Sequence, residues 1–536
     1  MKKSLLKGIL MLLVTAPFIS ACSGGEDAAG SGEVSQEITV NASSEPPSLD
    51  PALATDTTSG WIIEHTFEGL YTNDENGEVV PALAEDVEIS EDKKTYTFTL
   101  RDAKWSNGDP ITANDFEYSW KRTLNPETGS SFAFYLYYLK GAEEYNKDDG
   151  SAEDVGVKAL DEKTLQVELK SPTGFFEKLL AFWSYYPVNQ SVVEENENWA
   201  AEADTLVSNG PYTLTTWQHD SELVAEKNQE YWNKDDISME KITWEMISDA
   251  TTYYQMYKSG ELDLINTLPT DVIAQEEGNE DFKITPYFGT YMFMFNVEKE
   301  PFTNQKVRKA FNMAIDRESI TENISQSGET PAHAFVPYGV ETPDGDFREQ
   351  KEKYFEENVE EAKRLIEEAK QEEGWDELPE VELIYNTSEN HKKIAEGVQE
   401  MLKQNLGIEV TLNNQEWKTY LDTTDQGNFQ MARMGWIGIY VDPTPILDYY
   451  LGDSPNNRTN WVNEKYDSLI SESKGIQDEA ERMKVLHEAE SVLMEDLPFM
   501  PVYFYSQNYL TSTDYEGVVY PVNRYPNLRW AEKVSN

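Results

Sequence analysis

The stretch Val381 to Asp442, VELIYNTSENHKKIAEGVQEMLKQNLGIEVTLNNQEWKTYLDTTDQGNFQMARMGWIGIYVD, decides the fold. Val381 to Tyr385 reads as a strand running into the turn residues Asn386-Thr387-Ser388. His391 then stands at the start of a helix whose apolar positions Ile394, Val398, Met401 and Leu402 keep a 3.6-residue period. That helix stops at Leu406-Gly407. Ile408 to Leu412 alternates apolar and polar residues as a half-buried strand does, Trp417 opens a second helix, and Phe429 to Trp436 is a third strand. Strands alternating with helices predict parallel pairing and an α/β class. In such sheets ligands collect at the carboxyl ends of the strands, so Asn386, His391, Trp417, Arg433, Gly435 and Trp436 are candidates for one cleft. Each has a plain alternative reading, a tryptophan as a packing residue and a histidine as a capped or surface one; the cluster argues better than any member.

A chain of 536 residues is too long for one hydrophobic core, so two or more domains are expected. A formal charge of -55, with no Lys/Arg-rich run beyond the amino terminus, argues against a nucleic-acid partner, because a polyanion needs a basic face to replace its counterions. It also discourages self-association, and a monomer is expected. Residues 1 to 21 combine a basic start (Lys2, Lys3, Lys7), an apolar Gly8 to Phe18 run and a small-residue processing site, as a secretory signal does. Their removal takes three lysines and no acids, and the charge goes from -55 to -58. Cys22, the one cysteine, excludes an intrachain disulfide and a zinc site built on thiolates. Residues 22 to 35 are Gly/Ser/acid-rich and read as a flexible tether.

Further along, Glu37 to Ala42 is a short strand, and Trp61 to Leu70 has a helical period. Tyr96 to Leu100 is an alternating strand, and Thr112 is an N-cap for a helix through Trp120. Glu352 to Gln371 carries one apolar stripe, Phe355, Val359, Ala362, Ile366 and Ala369, and reads as packing.

Ile19-Ser20-Ala21-Cys22 resembles a bacterial lipobox, in which the cysteine becomes the lipidated first residue. The run Pro81 to Glu85, then YTFTLRDAKWSNGDPITANDFEYSW from Tyr96 to Trp120, resembles the signature of the solute-binding proteins of peptide ABC importers (family 5). Within that family YNTSENHKK, NQEWKTYLD and ARMGW are most similar to the oligopeptide-binding type. Ser208 to Tyr212, the run from Pro301 to Ile320 and Pro501 to Tyr505 fit as well, so the likeness covers nearly the whole mature chain in order.

The resemblance implies a two-lobed clamp of the periplasmic-binding-protein type, class II, with a third domain inserted in one lobe. Lobe I is then 36 to 67, 190 to 288 and 507 to 536, domain II is 68 to 189, and lobe III is 289 to 506. The crossings between lobes I and III, near Gly289 and Gln507, lie beside aromatic-rich strands, and paired crossing strands can act as a hinge. The implied activity is capture of an oligopeptide and delivery to a permease of two membrane subunits with its ATPases, from the outer face of the cell membrane, with no cofactor.

A receptor for many peptides should bond the peptide backbone as an added strand and leave wet pockets for side chains. By resemblance one edge is Gly435-Trp436-Ile437 and the facing one Thr55-Asp56-Thr57, with Phe132 contributed by the inserted domain. Glycine at 435 is expected to admit the ligand backbone, Trp436 and Trp417 to wall the pockets, and Arg433 with His391 to supply two cations for the ligand carboxylate. Ser325 stands where relatives often have a lysine, which removes one carboxylate anchor. Ile439 stands where relatives often carry the aspartate that meets the peptide ammonium; Asp56 and Asp442 are the nearest acids, with Asp442 reading rather as a turn cap before Pro443, and a blocked, cyclic or otherwise modified peptide, or a particular signalling peptide, is the other resolution. There is no G-x-S-x-G elbow and no H-E-x-x-H helix, and His65, His219, His333, His391 and His487 have no metal-pair spacing. Peptide-signal sensing, and more remotely a secreted hydrolase built on a carboxylate pair, stay open.

Overall fold

The structure, a computed structural model, describes residues 34–476 and 478–534. The expected signal peptide, Cys22 and nearly all of the tether lie outside the described residues. The stretch Val381 to Asp442 folds as read: strand Val381–Asn386, helix Glu389–Leu406, strand Val410–Gln415, helix Trp417–Asp425 and strand Met431–Ile437. Val381–Asn386 lies between the other two and pairs parallel with both. The Ser388 hydroxyl caps the first helix at the His391 N–H, and Gly407, with φ 71°, ends it. The middle strand starts two residues later than its alternation indicates, at Val410.

These strands form one end of an eleven-stranded sheet. Beyond Met431–Ile437 come Phe282–Phe295 and Phe499–Thr511, then Leu264–Ile265, Glu37–Asn41, Lys241–Glu245, Glu222–Lys227 and Tyr212–Gln218. The first group builds a carboxyl-terminal lobe and the last five strands an amino-terminal one. The two long strands belong to both, running antiparallel with Phe282–Pro286 against Leu510–Ser506 and Thr290–Met294 against Phe504–Phe499. Their ladder breaks between Pro286 and Thr290. Proline has no N–H to donate there, and a side chain on Gly289 would lie 2.5 Å from the Trp436 carbonyl oxygen. The break therefore falls where the chain was expected to cross between lobes.

A separate antiparallel sheet, Ala84–Ile89, Thr95–Leu100, Thr164–Glu168 and Val157–Ala159, packs with helix Ala113–Leu124 to make the inserted part. The Thr112 N–H donates to the Asp115 carboxylate over 2.8 Å at that helix's start. Two helices begin elsewhere than their apolar stripes suggest. The first is Thr57–Thr66, started by Asp56 and finished before Phe67, and the other is Val359–Glu373, capped by Asn358. Phe355 lies ahead of the second and covers the Arg317 guanidinium at 4.8 Å.

Candidate functional site

All twelve binding residues singled out from the sequence line one cavity of about 530 Å³ between the lobes: Thr55, Asp56, Thr57, Phe132, Asn386, His391, Trp417, Arg433, Gly435, Trp436, Ile437 and Ile439. That volume lies within the usual range of ligand pockets. Several cavity-lining residues hold buried polar atoms with no hydrogen-bond partner among the described residues: Arg433 Nε, His391 Nδ1, Trp417 Nε1, Asn390 Oδ1 and Tyr287 Oη. Buried polar atoms are normally paired, so their concentration here marks a surface shaped for a polar ligand.

Arg433 is the centre of one wall. Its Nη2 donates to Tyr505 Oη at 2.7 Å, its Nη1 reaches Asn386 Oδ1 at 3.4 Å, and its guanidinium lies 4.7 Å from the Tyr291 ring centre. Among the described residues it enters no ion pair. His391, 5.6 Å from the same ring, is pushed well below the usual histidine pKa by burial and then by the Arg433 charge. It is a neutral hydrogen-bonding group, which corrects the expectation of a second cation. Gly435 is also explained differently from its sequence reading. The side chain it lacks would collide with the Tyr505 hydroxyl, so glycine here keeps the Arg433 prop in place.

One backbone edge of Met431–Ile437 is open beside the cavity. Val381–Asn386 accompanies Met431–Ile437 only as far as Ala432, so from Arg433 onward that edge has no neighbouring strand among the described residues. The Arg433 carbonyl is taken by the Tyr420 hydroxyl, and Gly435 to Ile437 follow. Trp436 is mostly buried, donating Nε1 to the Pro445 carbonyl at 2.8 Å and packing against Tyr449 and Phe132. It supports the wall more than it forms one, whereas Trp417 is half-buried and stacks on Tyr420.

On the facing wall Asp56 caps the Thr57–Thr66 helix, accepting from Thr58 N and Ser59 N at 3.0 Å and from Ser59 Oγ at 2.6 Å. Burial raises its pKa in spite of these bonds. The Trp417 indole comes near it from the opposite lobe without reaching hydrogen-bond geometry. Asp442 is not available as a replacement for the missing aspartate. It caps Pro443–Leu447 and pairs with Arg482, Nη1 to Oδ1 at 3.0 Å. Ile439 itself turns its carbonyl to Asn523 Nδ2 at 2.8 Å. Ser325, in a π-helical turn, donates to Glu329 at 3.0 Å. Tyr505, Glu329 and Asn523 were not singled out. Tyr505 sat inside the Pro501 to Tyr505 run, and nothing local marks the other two.

The lobes are clasped across the cleft. Lys393 donates to Thr270 Oγ1 and Asp271 Oδ1, both at 2.8 Å, and Asn390 Nδ2 to the Leu268 carbonyl at 3.2 Å, while Asn523 holds Ile439 on another rim. A hinge of two shared strands, a clasped cleft and unpaired polar groups inside define a two-lobed solute-binding clamp.

Residues 78–458 match the model of the bacterial extracellular solute-binding proteins, family 5 Middle, and the chain belongs to that family. It is similar to the dipeptide-binding protein DppE of Bacillus subtilis (42% identical over 92% of this chain and 91% of that protein). It is similar also to the oligopeptide-binding protein OppA of the same organism (40%, over 96% of each). Among solved structures it superposes on the substrate-binding domain of an oligopeptide ABC transporter from Bacillus anthracis with a TM-score of 0.91 (33% identical, 94% of this chain and 99% of that one). For Listeria monocytogenes OppA bound to peptide the score is 0.89 (29%, 94% and 100%). The unliganded open form of the murein tripeptide-binding protein MppA, 33% identical over 94% of this chain and 98% of that one, reaches only 0.62. Comparable identity with a much poorer superposition is what a rigid-body difference in lobe angle produces, so the lobes here have the closed arrangement. No helix among the described residues is long and apolar enough to cross a membrane.

Proposed function

We propose that this protein is the extracytoplasmic receptor of a peptide importer, closing its lobes on an oligopeptide and presenting it to a two-subunit ABC permease with its ATPases. The observation that carries this reading is Arg433: a guanidinium that lines the cavity and pairs with no carboxylate among the described residues, beside a strand edge that ends its pairing at Ala432. A peptide supplies both missing partners, its carboxylate to the arginine and its main chain to Gly435 and Ile437 as an added strand. Thr55 to Thr57 form the facing edge, Phe132 and Trp417 bound the side-chain space, and Asn386 and His391 orient the carboxylate. The ligand ammonium, when free, meets Asp56, which has no cationic partner among the described residues and takes the place of an acid at 439. Lobe boundaries at 36–67, 190–288 and 507–536, at 68–189 and at 289–506 accord with this division of labour. A lipid on Cys22 holds the monomer at the membrane.

Names among the relatives accord with this reading, since the Listeria structure is described as bound to peptide. Native mass spectrometry of the purified protein is expected to release peptides from the cleft. Calorimetry with a free and an N-acetylated form of one peptide then tests Asp56: acetylation lowers affinity if the ammonium sits there, and leaves or raises it if the natural ligand is blocked or cyclic. Failure of every peptide to bind would overturn the proposal.

A further inference from the structure

The charged groups around the cavity do not balance. Glu64 pairs with Arg524 at 2.7 Å, Glu45 is held by Trp217 and His219, and Arg458 pairs with Asp425. Arg433 and Asp56 are matched by the two ends of a peptide. Asp220 and Glu416 also line it but are exposed to solvent, which leaves one half-buried acid without a cation among the described residues, Glu329.

Its position is set by strand pairing. Thr330–Pro331 runs antiparallel to Phe499–Thr511, with Thr330 opposite Phe504 and Pro331 opposite Tyr503, and the same register puts Glu329 opposite Tyr505, the residue that bonds Arg433. The Glu329 charge acts on both Tyr503 and Tyr505. Its carboxylate accepts from Ser325 Oγ at 3.0 Å and Ser327 N at 2.9 Å, it lines the cavity, and it enters no ion pair among the described residues. Burial raises its pKa. Two neutral donors orient this half-buried carboxylate without neutralising it, and a partly desolvated charge left in that state seeks a counter-ion.

We propose that Glu329 is a specificity-determining residue that selects peptides with a basic side chain, lysine-like or arginine-like, on the last or next-to-last residue. The inference rests on the peptide-receptor reading above. With the carboxylate on Arg433, the side chains beside it run along Tyr505 toward Glu329. A cation there supplies the counter-charge missing among the described residues; an apolar side chain covers the acid and leaves it unpaired.

The test is calorimetric titration of the full mature receptor, freed of bound ligand, with alanine tri-, tetra- and pentapeptides carrying lysine at the last or next-to-last position, each against the norleucine counterpart. The wild-type protein should favour lysine by about tenfold or more, the scale of one charge-assisted hydrogen bond. In Glu329→Gln the ratio should fall to within about twofold of unity. Ser325→Lys, which sets an ammonium beside Glu329, should remove the lysine preference in the same way. Equal affinities in the wild type, or an undiminished ratio in both variants, overturns the inference. If no peptide of either series binds, the peptide-receptor reading itself has failed.

Discussion

Two arginines of the carboxyl-terminal lobe are drawn into the protein, and they are treated in opposite ways. Arg348 has no exposed side-chain surface. Its Nη2 meets both Glu490 oxygens at 2.5 Å, Nε bonds the Val336 carbonyl and Nη1 the Lys351 carbonyl. Glu490 is completed by Phe335 N, Val336 N and the Tyr354 hydroxyl. Arg433 has one good bond, to a tyrosine, an orphaned Nε and no carboxylate. Desolvating a guanidinium is expensive wherever it happens. At Arg348 the protein itself offsets that expense within the fold, whereas at Arg433 the offset falls, on the proposed reading, to the ligand carboxylate.

The sharpest way to break this contrast is to make Arg348 resemble Arg433. Glu490→Gln strands a fully buried cation and should destabilise the carboxyl-terminal lobe by about 3 to 5 kcal/mol, read as a fall in the urea midpoint; an unchanged midpoint would remove the distinction. Next, Arg433→Met should reduce peptide affinity by roughly a hundredfold, about 2.7 kcal/mol. The ligand-free protein should keep or gain stability, because an unpaired charge leaves the interior. Simultaneous loss of folding would mean that Arg433 is structural after all. Gly435→Ala should weaken binding by about 1 to 3 kcal/mol by displacing the Tyr505 hydroxyl, with a crystal structure of the variant expected to show Arg433 released from it.

The smallest effect concerns pH. Burial raises the folded-state pKa of Glu329, so the folded protein holds this proton more tightly than the unfolded chain. The ionised group therefore destabilises the fold above that raised pKa, and the penalty disappears as pH falls toward the ordinary glutamate value of 4.5. Arg433, Tyr503 and Tyr505 across the wall remain in their usual states through that range. Ligand-free Glu329→Gln should accordingly be the more stable protein at pH 8, with the difference closing by about pH 4. A constant difference would place Glu329 outside the low-dielectric cavity. His391 works the other way: its lowered pKa means that protonation below the ordinary histidine value favours unfolding.

Much of the binding wall was legible because it is local. The Val381 to Asp442 stretch alternates strand and helix with strong periods, Ser388 and Gly407 mark the helix ends, and strand ends in a parallel sheet are where ligands gather. Three details depend on neighbours distant in sequence: the lowered pKa of His391 on Arg433, the pairing of Asp442, whose place before Pro443 already marks it as a turn cap, on Arg482, and the close packing at Gly435 on Tyr505. Asn523, which clasps Ile439 from 84 residues away, has no periodicity or motif to announce it.

By itself the order of residues determined the class of fold, the alternation that makes the cleft wall, the family likeness and the list of groups able to meet a peptide, since all of these follow from hydrophobic period, turn chemistry and side-chain type. Which of those groups are charged, which already have partners and which face the cavity was decided only when the chain closed on itself. Desolvation and hydrogen bonding are set by what lies within a few ångströms, and at this site those neighbours come from segments well separated along the chain, as Arg482 is from Asp442 and Asn523 from Ile439.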